Sequence, residues 1–201
     1  MKVSEIIYEV TLNEAPATNI AVFYGGRFQP MHDGHFQLYN QLTSRFGADN
    51  VFIATMLAGG ADKDKNPFTF DEKAQIMNKM FGIPVDHVID TQPYKPELDK
   101  VGRDPANTAL VLAFSDKDAG RLRETETLRK LPDDLKGLES AETPRVYFVT
   151  MPTNNAGMSA TDFRDAIKNP QLSDEDKIKK FTEFFGKFDP EVYKFIQQRL
   201  T

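Results

Sequence analysis

The chain has 201 residues, a formal net charge of −5 and no cysteine, so its length suits one domain that folds without disulfides, a thiolate zinc site or a catalytic thiol. The acidic balance and the lack of a long basic run argue against a nucleic-acid partner. No apolar stretch reaches the roughly 20 residues that span a bilayer, and the N-terminus does not resemble a secretory signal, so we expect a cytoplasmic protein with no membrane partner.

The chain alternates short apolar runs, which are typical of buried strands, with helical patterns. After an N-terminal arm, residues 1–18, the order is strand 19–24, helix 38–46, strand 51–57, helix 71–81, strands 85–91, 109–114 and 145–150, and helix 159–168. Two more helical segments, 174–185 and 190–200, follow. The remaining segments are a weak helical pattern at 115–131, no clear pattern at 94–107, and an expected solvated loop at 132–144.

This alternation predicts an α/β fold in which a parallel sheet is covered by helices on both faces. We expect a main domain at residues 19–168, preceded by the arm, with a C-terminal helical segment, 169–201, packed on it. Parallel sheets bind ligands beyond the carboxyl ends of their strands. The polar segments after the first, second, fourth and fifth predicted strands can therefore converge on one crevice.

The segment Gly25-Gly-Arg-Phe-Gln-Pro-Met-His-Asp-Gly-His35 lies between the first predicted strand and the first predicted helix. Its glycines let backbone N–H groups approach a phosphate, and the helix N-terminus adds donors and a positive dipole end. His32 and His35 are three residues apart, so one helical turn can place both on the same side. Arg27 adds a permanent charge with a bidentate fork. Together these residues predict a phosphate site rather than a structural histidine pair.

This segment resembles the signature of the HxGH nucleotidylyltransferase superfamily, and its Gly-Arg-Phe-Gln-Pro half is most similar to the archaeal-type nicotinamide mononucleotide adenylyltransferases. The resemblance implies a Rossmann-like fold. It also implies that His32 and His35 bind triphosphate oxygens and stabilise the charge that builds on them, and that Arg27 binds phosphate. The other residues that the resemblance places at ATP or its phosphates are Gly25, Gly26, Phe28, Gln29 and Gly34.

A second segment, Met158-Ser-Ala-Thr-Asp-Phe-Arg164, resembles the superfamily's Ile-Ser-x-Thr-x-x-Arg signature at the start of a late helix. Hydroxyls at a helix N-terminus can cap the helix or contact phosphate, and capping is the commoner role of such a string on its own. Beside the first motif, the resemblance implies that Ser159, Thr161 and Arg164 hold the β- and γ-phosphates. Arg164 is then counted with the catalytic residues of the first motif.

Two weaker matches complete the pattern. Lys65-Asn-Pro-Phe-Thr69 resembles the superfamily's Asn/Asp-Pro-Phe-Thr segment, with Lys65 standing where archaeal-type members carry a phosphate-contacting arginine. A solvated lysine in a loop is an equally good interpretation of Lys65. Ser115-Asp-Lys-Asp118 follows the fourth strand, where relatives have a turn that touches ribose or phosphate, and this implies a contact from Asp116. His87 lies outside every motif and is expected to be a packing residue.

The resemblance implies transfer of AMP from ATP to nicotinamide mononucleotide, with Mg²⁺ bound mainly by the triphosphate and a homo-oligomer among the expectations. Two features on the acceptor side depart from the family pattern. The chain has no tryptophan to stack on the nicotinamide ring, although Tyr94 stands in that region, and Leu57-Ala-Gly-Gly60 replaces a Ser-Ala-Gln-type turn. The alternatives are another nucleotidyl transfer in the superfamily, with CTP or a different phosphorylated acceptor, and a non-catalytic nucleotide-binding module.

Overall fold

A computed structural model describes residues 17–56, 64–116, 123–143, 145–152 and 158–201. Their strands are β1 (Asn19–Gly25), β2 (Val51–Thr55), β3 (Val88–Asp90), β4 (Thr108–Ser115), β5 (Leu128–Lys130) and β6 (Val146–Met151). Their α-helices are α1 (Asp33–Phe46), α2 (Phe70–Phe81), α3 (Ala160–Lys168), α4 (Asp174–Phe185) and α5 (Pro190–Leu200). Most of the N-terminal arm, residues 1–16, lies outside the described residues.

The strands form one six-stranded sheet in the order β3-β2-β1-β4-β6-β5, and every pair is parallel. Successive side chains of a strand point to opposite faces, so Val22 and Tyr24 of β1 join one core cluster while Ala21 and Phe23 join another. The first cluster includes buried residues of α1 and α2, whereas Leu98 in a 3-10 turn covers part of the second. The predicted α/β fold is therefore confirmed.

The strand order brings the carboxyl ends of β1 and β4 to the middle of the sheet. The chain runs from β1 outward to β2 and β3, then returns to β4 on the other side of β1. Such a reversal leaves a crevice at the carboxyl edge, because the connections on its two sides run away from each other. The first motif begins at this position, with Gly25 as the last residue of β1.

Three sequence predictions differ from the structure. The third strand begins at Val88 rather than at residue 85, because Val85–His87 form a 3-10 turn after Pro84. The strand β5 was not predicted, since it is a three-residue edge strand without an apolar run. The solvated-loop prediction for residues 132–144 is wrong at Leu138 and Ser140, which are 8% and 1% exposed.

The C-terminal helices pack against α2 and α3 through a separate apolar cluster. Phe163 of α3 stacks on Phe184 of α4, with ring centroids 4.1 Å apart. Lys79 of α2 donates to Glu191 of α5 at 2.7 Å. These contacts place α4 beside the first motif, because the Phe184 ring also meets the His32 ring edge-to-face at 5.5 Å. No helix among the described ranges is long and apolar enough to cross a membrane.

Candidate active site

The first motif opens with two glycines that the local packing requires. A Cβ atom on Gly25 would lie 2.6 Å from Cβ of Pro93, closer than real contacts allow. A Cβ atom on Gly26 would lie 2.5 Å from the Phe28 ring, and the Gly26 N–H donates to the Ala54 carbonyl at 3.1 Å. The chain therefore leaves β1 in a tight turn that only glycine permits.

Phe28 and Gln29 form the inner wall of this turn. Phe28 has a φ of 46°, a left-handed backbone conformation that is costly for a bulky residue and persists only where its surroundings hold it. Its ring is 4% exposed and packs edge-to-face against His35 at 5.2 Å. The Gln29 amide donates to the Phe68 carbonyl and its oxygen accepts from the Phe68 N–H, both at 3.0 Å. Both Gln29 side-chain contacts thus join the first motif to the Asn-Pro-Phe-Thr segment.

His32 and His35 form a reciprocal pair at the N-terminus of α1. Nδ1 of His32 accepts from the His35 backbone N–H at 3.3 Å, and Nδ1 of His35 accepts from the His32 N–H at 3.4 Å. An Nδ1 atom that accepts carries no hydrogen, so each neutral ring has its N–H at Nε2. The rings stack with centroids 3.6 Å apart, and Gly34 lies between the two residues in the first turn. The pair therefore presents two Nε2–H donors at a helix N-terminus.

Arg164 connects the second motif to the first. It is 6% exposed, and its guanidinium donates to the Gln29 carbonyl at 2.6 Å, to the Asp64 carbonyl at 3.1 Å and to the Thr161 hydroxyl at 3.4 Å. Ser159 is the N-cap of α3, where its hydroxyl accepts from the Asp162 N–H at 3.2 Å. The two motifs predicted to share a site therefore do meet, and the cap that the residue pattern suggested is present as well.

The Lys65–Thr69 segment bridges the second strand and α2. Lys65 is exposed, whereas Phe68 is fully buried. Thr69 is the N-cap of α2, and its capping box is completed by Glu72, whose carboxylate accepts from the Thr69 N–H at 2.8 Å. Arg199 of α5 donates to the Pro67 carbonyl at 3.1 Å. The C-terminal segment thus braces this loop from outside.

Two cationic residues lie at the turn after β1: Arg27, which is part of it, and Lys73 of α2, which contacts its backbone. Of these two, only Arg27 was predicted to belong to the site. Arg27 is exposed and its guanidinium has no hydrogen bond or ion pair to any described residue. Lys73 is 1% exposed, and its ammonium donates to the Thr55 hydroxyl at 2.6 Å, the Met56 carbonyl at 3.0 Å and the Arg27 carbonyl at 3.4 Å. Burial lowers the pKa of Lys73 to about 8, and the Asp90 carboxylate partly opposes this.

The sequence carries a signal for Lys73 outside the motifs. Lys73 precedes Met77 by four residues, so it stands on the apolar face of α2 rather than among its exposed charges. A lysine on the core-facing side of an amphipathic helix is rarely buried without a partner. The third histidine, His87, is half-buried away from the motifs, and its Nδ1–H donates to the Val51 carbonyl at 3.1 Å.

Tyr94 and Asp116 lie by the carboxyl end of β4. Asp116 directly follows β4 and is exposed, while Lys117 and Asp118 of the same predicted segment lie outside the described residues, as does Leu57-Ala-Gly-Gly60. Tyr94 is 65% exposed, and its ring stacks on Phe114 at the end of β4, with centroids 5.7 Å apart. Because Pro93 touches Gly25, this aromatic pair lies next to the first motif.

A family model described as cytidylyltransferase-like matches residues 23–166, which begin in β1 and end in α3. The chain belongs to this family. The match contains both motifs, so it confirms the superfamily resemblance seen in the sequence. It also includes the segments that contribute Lys65, Lys73 and Asp116 to the sheet edge.

Curated relatives are similar over a shorter segment. The chain is 35% identical over 57 residues to the nicotinamide-nucleotide adenylyltransferase of Halobacterium salinarum, and 40% identical over 55 residues to that of Methanolobus tindarius. These segments span 28% and 27% of the chain, and 31% of each relative. The matched segment therefore spans about a third of the length of the curated relatives.

Solved structures with the same fold extend over most of the chain. A bifunctional NMN adenylyltransferase/ADP ribose pyrophosphatase from Francisella tularensis, complexed with AMP and a manganese ion, aligns at 21% identity with a TM-score of 0.51 over 90% of this chain and 48% of that one. A Plasmodium falciparum nicotinic acid mononucleotide adenylyltransferase aligns at 9% identity with a TM-score of 0.52, over 90% of this chain and 95% of that one. At these identities the likeness establishes the shared fold.

Proposed function

We propose that the chain is an adenylyltransferase that transfers AMP from ATP to nicotinamide mononucleotide, forming NAD and releasing pyrophosphate. The observation that carries the proposal is the stacked His32–His35 pair at the N-terminus of α1, whose Nε2–H donors belong to the same segment as the exposed Arg27. Two neutral donors, a helix N-terminus and a permanent cation together suit a triphosphate better than a neutral ligand. The names of the two curated archaeal relatives favour the nicotinamide nucleotide as acceptor.

The proposed reaction needs no protein nucleophile. An oxygen of the acceptor's phosphate attacks the α-phosphorus of ATP in line, the bond from that phosphorus to the oxygen bridging to the β-phosphate breaks, and pyrophosphate leaves with the electron pair. Catalysis then consists of positioning and of electrostatic stabilisation of the phosphate oxygens. His32 and His35 would donate to triphosphate oxygens, and Arg27 would bind phosphate through its two-pronged guanidinium.

The remaining site residues divide by what their side chains contact. Ser159 and Thr161 lie at the start of α3, where backbone N–H groups and the Thr161 hydroxyl can face the β- and γ-phosphates, while the Ser159 hydroxyl bonds Asp162 in the helix cap. Arg164 contributes charge from within the protein while its hydrogen bonds hold the Gln29 and Asp64 backbone. Gly25, Gly26, Phe28, Gln29 and Gly34 shape the turn, so their contacts with ATP would come mainly through the backbone.

A divalent ion fits this chemistry as a companion of the nucleotide. The Francisella tularensis protein is complexed with AMP and a manganese ion. Within the described ranges of this chain, no group of three or more histidine, aspartate or glutamate side chains could hold a metal. We therefore propose that Mg²⁺ is carried by the triphosphate oxygens, where it would neutralise phosphate charge. The chain's own residues then orient the phosphates.

The acceptor is proposed to lie against the Tyr94–Phe114 pair. A mononucleotide with a flat cationic ring needs an aromatic surface on which to stack, and Tyr94 presents an exposed ring at the sheet edge. Lys65 and Asp116 are exposed: Lys65 lies between β2 and α2, and Asp116 directly follows β4. A phosphate contact from Lys65, a ribose contact from Asp116, a cytoplasmic location and a homo-oligomer stay predictions.

Pyrophosphate release tests the proposal directly. The purified chain is incubated with Mg²⁺, nicotinamide mononucleotide and either ATP or CTP, because the family model's description also covers cytidylyl transfer. We expect release with ATP together with NAD formation, and little release with CTP. Release with CTP but not with ATP would show that the nucleotide donor is CTP. Release with ATP only when a different phosphorylated acceptor is present would show that the acceptor is not nicotinamide mononucleotide.

Substitution of His35 tests the observation on which the proposal rests. His35→Ala removes one of the two Nε2–H donors, and losing one such donor in a preorganised site costs about 100–1000-fold in rate. We expect kcat for pyrophosphate release to fall by that factor with an unchanged circular dichroism spectrum. His87→Ala is the matched control, since His87 lies outside the motifs and contacts Val51. Equal rates for the two folded variants would refute the assignment of His35.

A further inference from the structure

Lys73 is a buried cation of the proposed site. Its contacts join the turn after β1 to the end of β2. Its ammonium donates to three oxygens, two of which belong to Thr55 and Met56 at the end of β2 and one to the Arg27 backbone. An ammonium group has three hydrogens, so all of its donors are used. A neutral amine has two hydrogens and a lone pair, so it could donate to only two of these three oxygens.

The carbonyl that Lys73 holds is at a sensitive position. It belongs to the peptide between Arg27 and Phe28, and Phe28 has the left-handed φ of 46°. The Thr55 hydroxyl donates to the same carbonyl at 3.4 Å. The peptide that precedes the strained Phe28 is therefore held by two hydrogen bonds to its oxygen. Arg27 is exposed, and no hydrogen bond or ion pair to a described residue holds its guanidinium, so the backbone at Arg27 fixes the point and direction from which the side chain starts.

We propose that Lys73 is a positioning residue for the reaction: its ammonium holds the Arg27–Phe28 peptide in the geometry that aims the Arg27 guanidinium at the bound triphosphate. This inference rests on the proposed adenylyl transfer. Its consequence is that turnover requires the charged form of Lys73. Burial lowers the pKa of Lys73 to about 8, and the Asp90 carboxylate at the end of β3 opposes this shift only in part.

The test measures kcat/KM for pyrophosphate release from pH 6.5 to 9.5 in the wild type and in two variants. Lys73→Met removes the charge, and we expect kcat/KM at pH 7 to fall about 100-fold, as for a misplaced catalytic group. Lys73→Arg keeps a charge at every pH in this range. The wild-type value should fall above about pH 8, as a pKa of about 8 requires, whereas the Lys73→Arg value should stay level.

The control is Lys79→Met, the same change on the same helix at a residue paired with Glu191 on the surface. It should keep the wild-type rate and the wild-type pH profile. Unchanged kcat/KM in Lys73→Met, or the same alkaline fall in Lys73→Arg, would overturn the inference. If Lys73→Arg does not fold, the residual activity of Lys73→Met serves instead, and it should lack the alkaline fall.

Failure of the proposed function is distinguishable from failure of this inference. A wild-type chain that releases no pyrophosphate with any acceptor contradicts the function, and ATP affinity then replaces turnover as the readout. The affinity of the wild type for ATP, measured by calorimetry, should weaken above about pH 8, and that of a variant with a permanent charge should not. An affinity without this pH dependence would overturn the role of Lys73.

Discussion

At the scale of single residues, the site is built from side chains that hold backbone as much as from side chains that face solvent. Arg164 and Lys73 are both nearly fully buried, and both donate to carbonyls of the first motif, at Gln29 and Arg27. Buried cations are costly unless every donor has a partner. Their burial beneath the turn after β1 is therefore explained by the two backbone carbonyls that they hold in place, and by the positive charge that they add to the proposed phosphate site.

Arg164→Met removes three hydrogen bonds at once, and leaves the Gln29 and Asp64 carbonyls without this donor. We expect the free energy of unfolding to fall by about 1–3 kcal/mol, the usual cost of an unsatisfied buried group, and turnover to fall with it. Arg199→Met is the matched control, because Arg199 is partly exposed and makes a single backbone contact. Urea unfolding that gives both variants the same stability would contradict the role assigned to Arg164.

At the scale of secondary structure, the starts and ends of helices carry the function. The first motif is the N-terminus of α1, the second motif is the N-terminus of α3, and Thr69 caps α2 between them. Each start combines a side-chain cap with backbone N–H groups that have no carbonyl partner within the helix, so the same residue pattern can stabilise the helix and bind an anion. The C-terminus of α4 also approaches α1, since Gly186 lies against Asp33.

The contact between Gly186 and Asp33 can be tested by comparing alanine substitutions at two glycines that end helices, Gly186 and Gly82. Gly82 and Gly186 have φ values of 71° and 77°, so alanine at either position costs about 1–2 kcal/mol of backbone strain. The added Cβ of Gly82→Ala meets nothing within 4 Å, whereas that of Gly186→Ala meets the Asp33 carboxylate at 3.3 Å. We expect Gly186→Ala alone to lower turnover, because Asp33 directly follows His32. Equal turnover of the two variants would show that this contact does not reach the site.

At the scale of the whole molecule, the buried charge of Lys73 makes stability depend on pH. Its pKa in the folded chain, about 8, lies below the ordinary value of 10.5. Between these values the unfolded chain binds more protons than the folded chain, so stability rises as the pH rises through this window. Below pH 8 the cost of burying the charge is present in full.

The measurement uses urea unfolding from pH 7 to 10 to determine the free energy of unfolding of the wild type and of Lys73→Met at each pH. We expect the free energy of unfolding of the wild type to rise relative to that of Lys73→Met by up to ~3 kcal/mol across this range, since each pKa unit corresponds to about 1.4 kcal/mol. Lys79→Met should give no such gain, because its partner Glu191 raises rather than lowers the pKa of Lys79. A difference between wild type and Lys73→Met that does not change with pH would contradict the buried charge.

Local residue patterns were enough for most elements of the fold. The two C-terminal helices and the late helix lie where their apolar spacing places them, because each has a cap and a clear stripe. The edge strand β5 could not be predicted, since three residues, of which only Leu128 is apolar, are too few to show a period of their own. Leu138 and Ser140 are buried only because their segment returns to the sheet, where Ala141 donates to Thr108.

The sequence by itself determined the family, the order of the elements and the two motifs, since these depend on residue types at short spacing. Only the tertiary structure decided how the motifs meet. It places Arg164 against the Gln29 carbonyl and Lys73 beneath Arg27, contacts between residues that are far apart along the chain. It also directs the Gln29 side chain to Phe68 and the Ser159 hydroxyl to a helix cap. A residue type shows which bonds a side chain can make, and the surrounding fold selects which of them form.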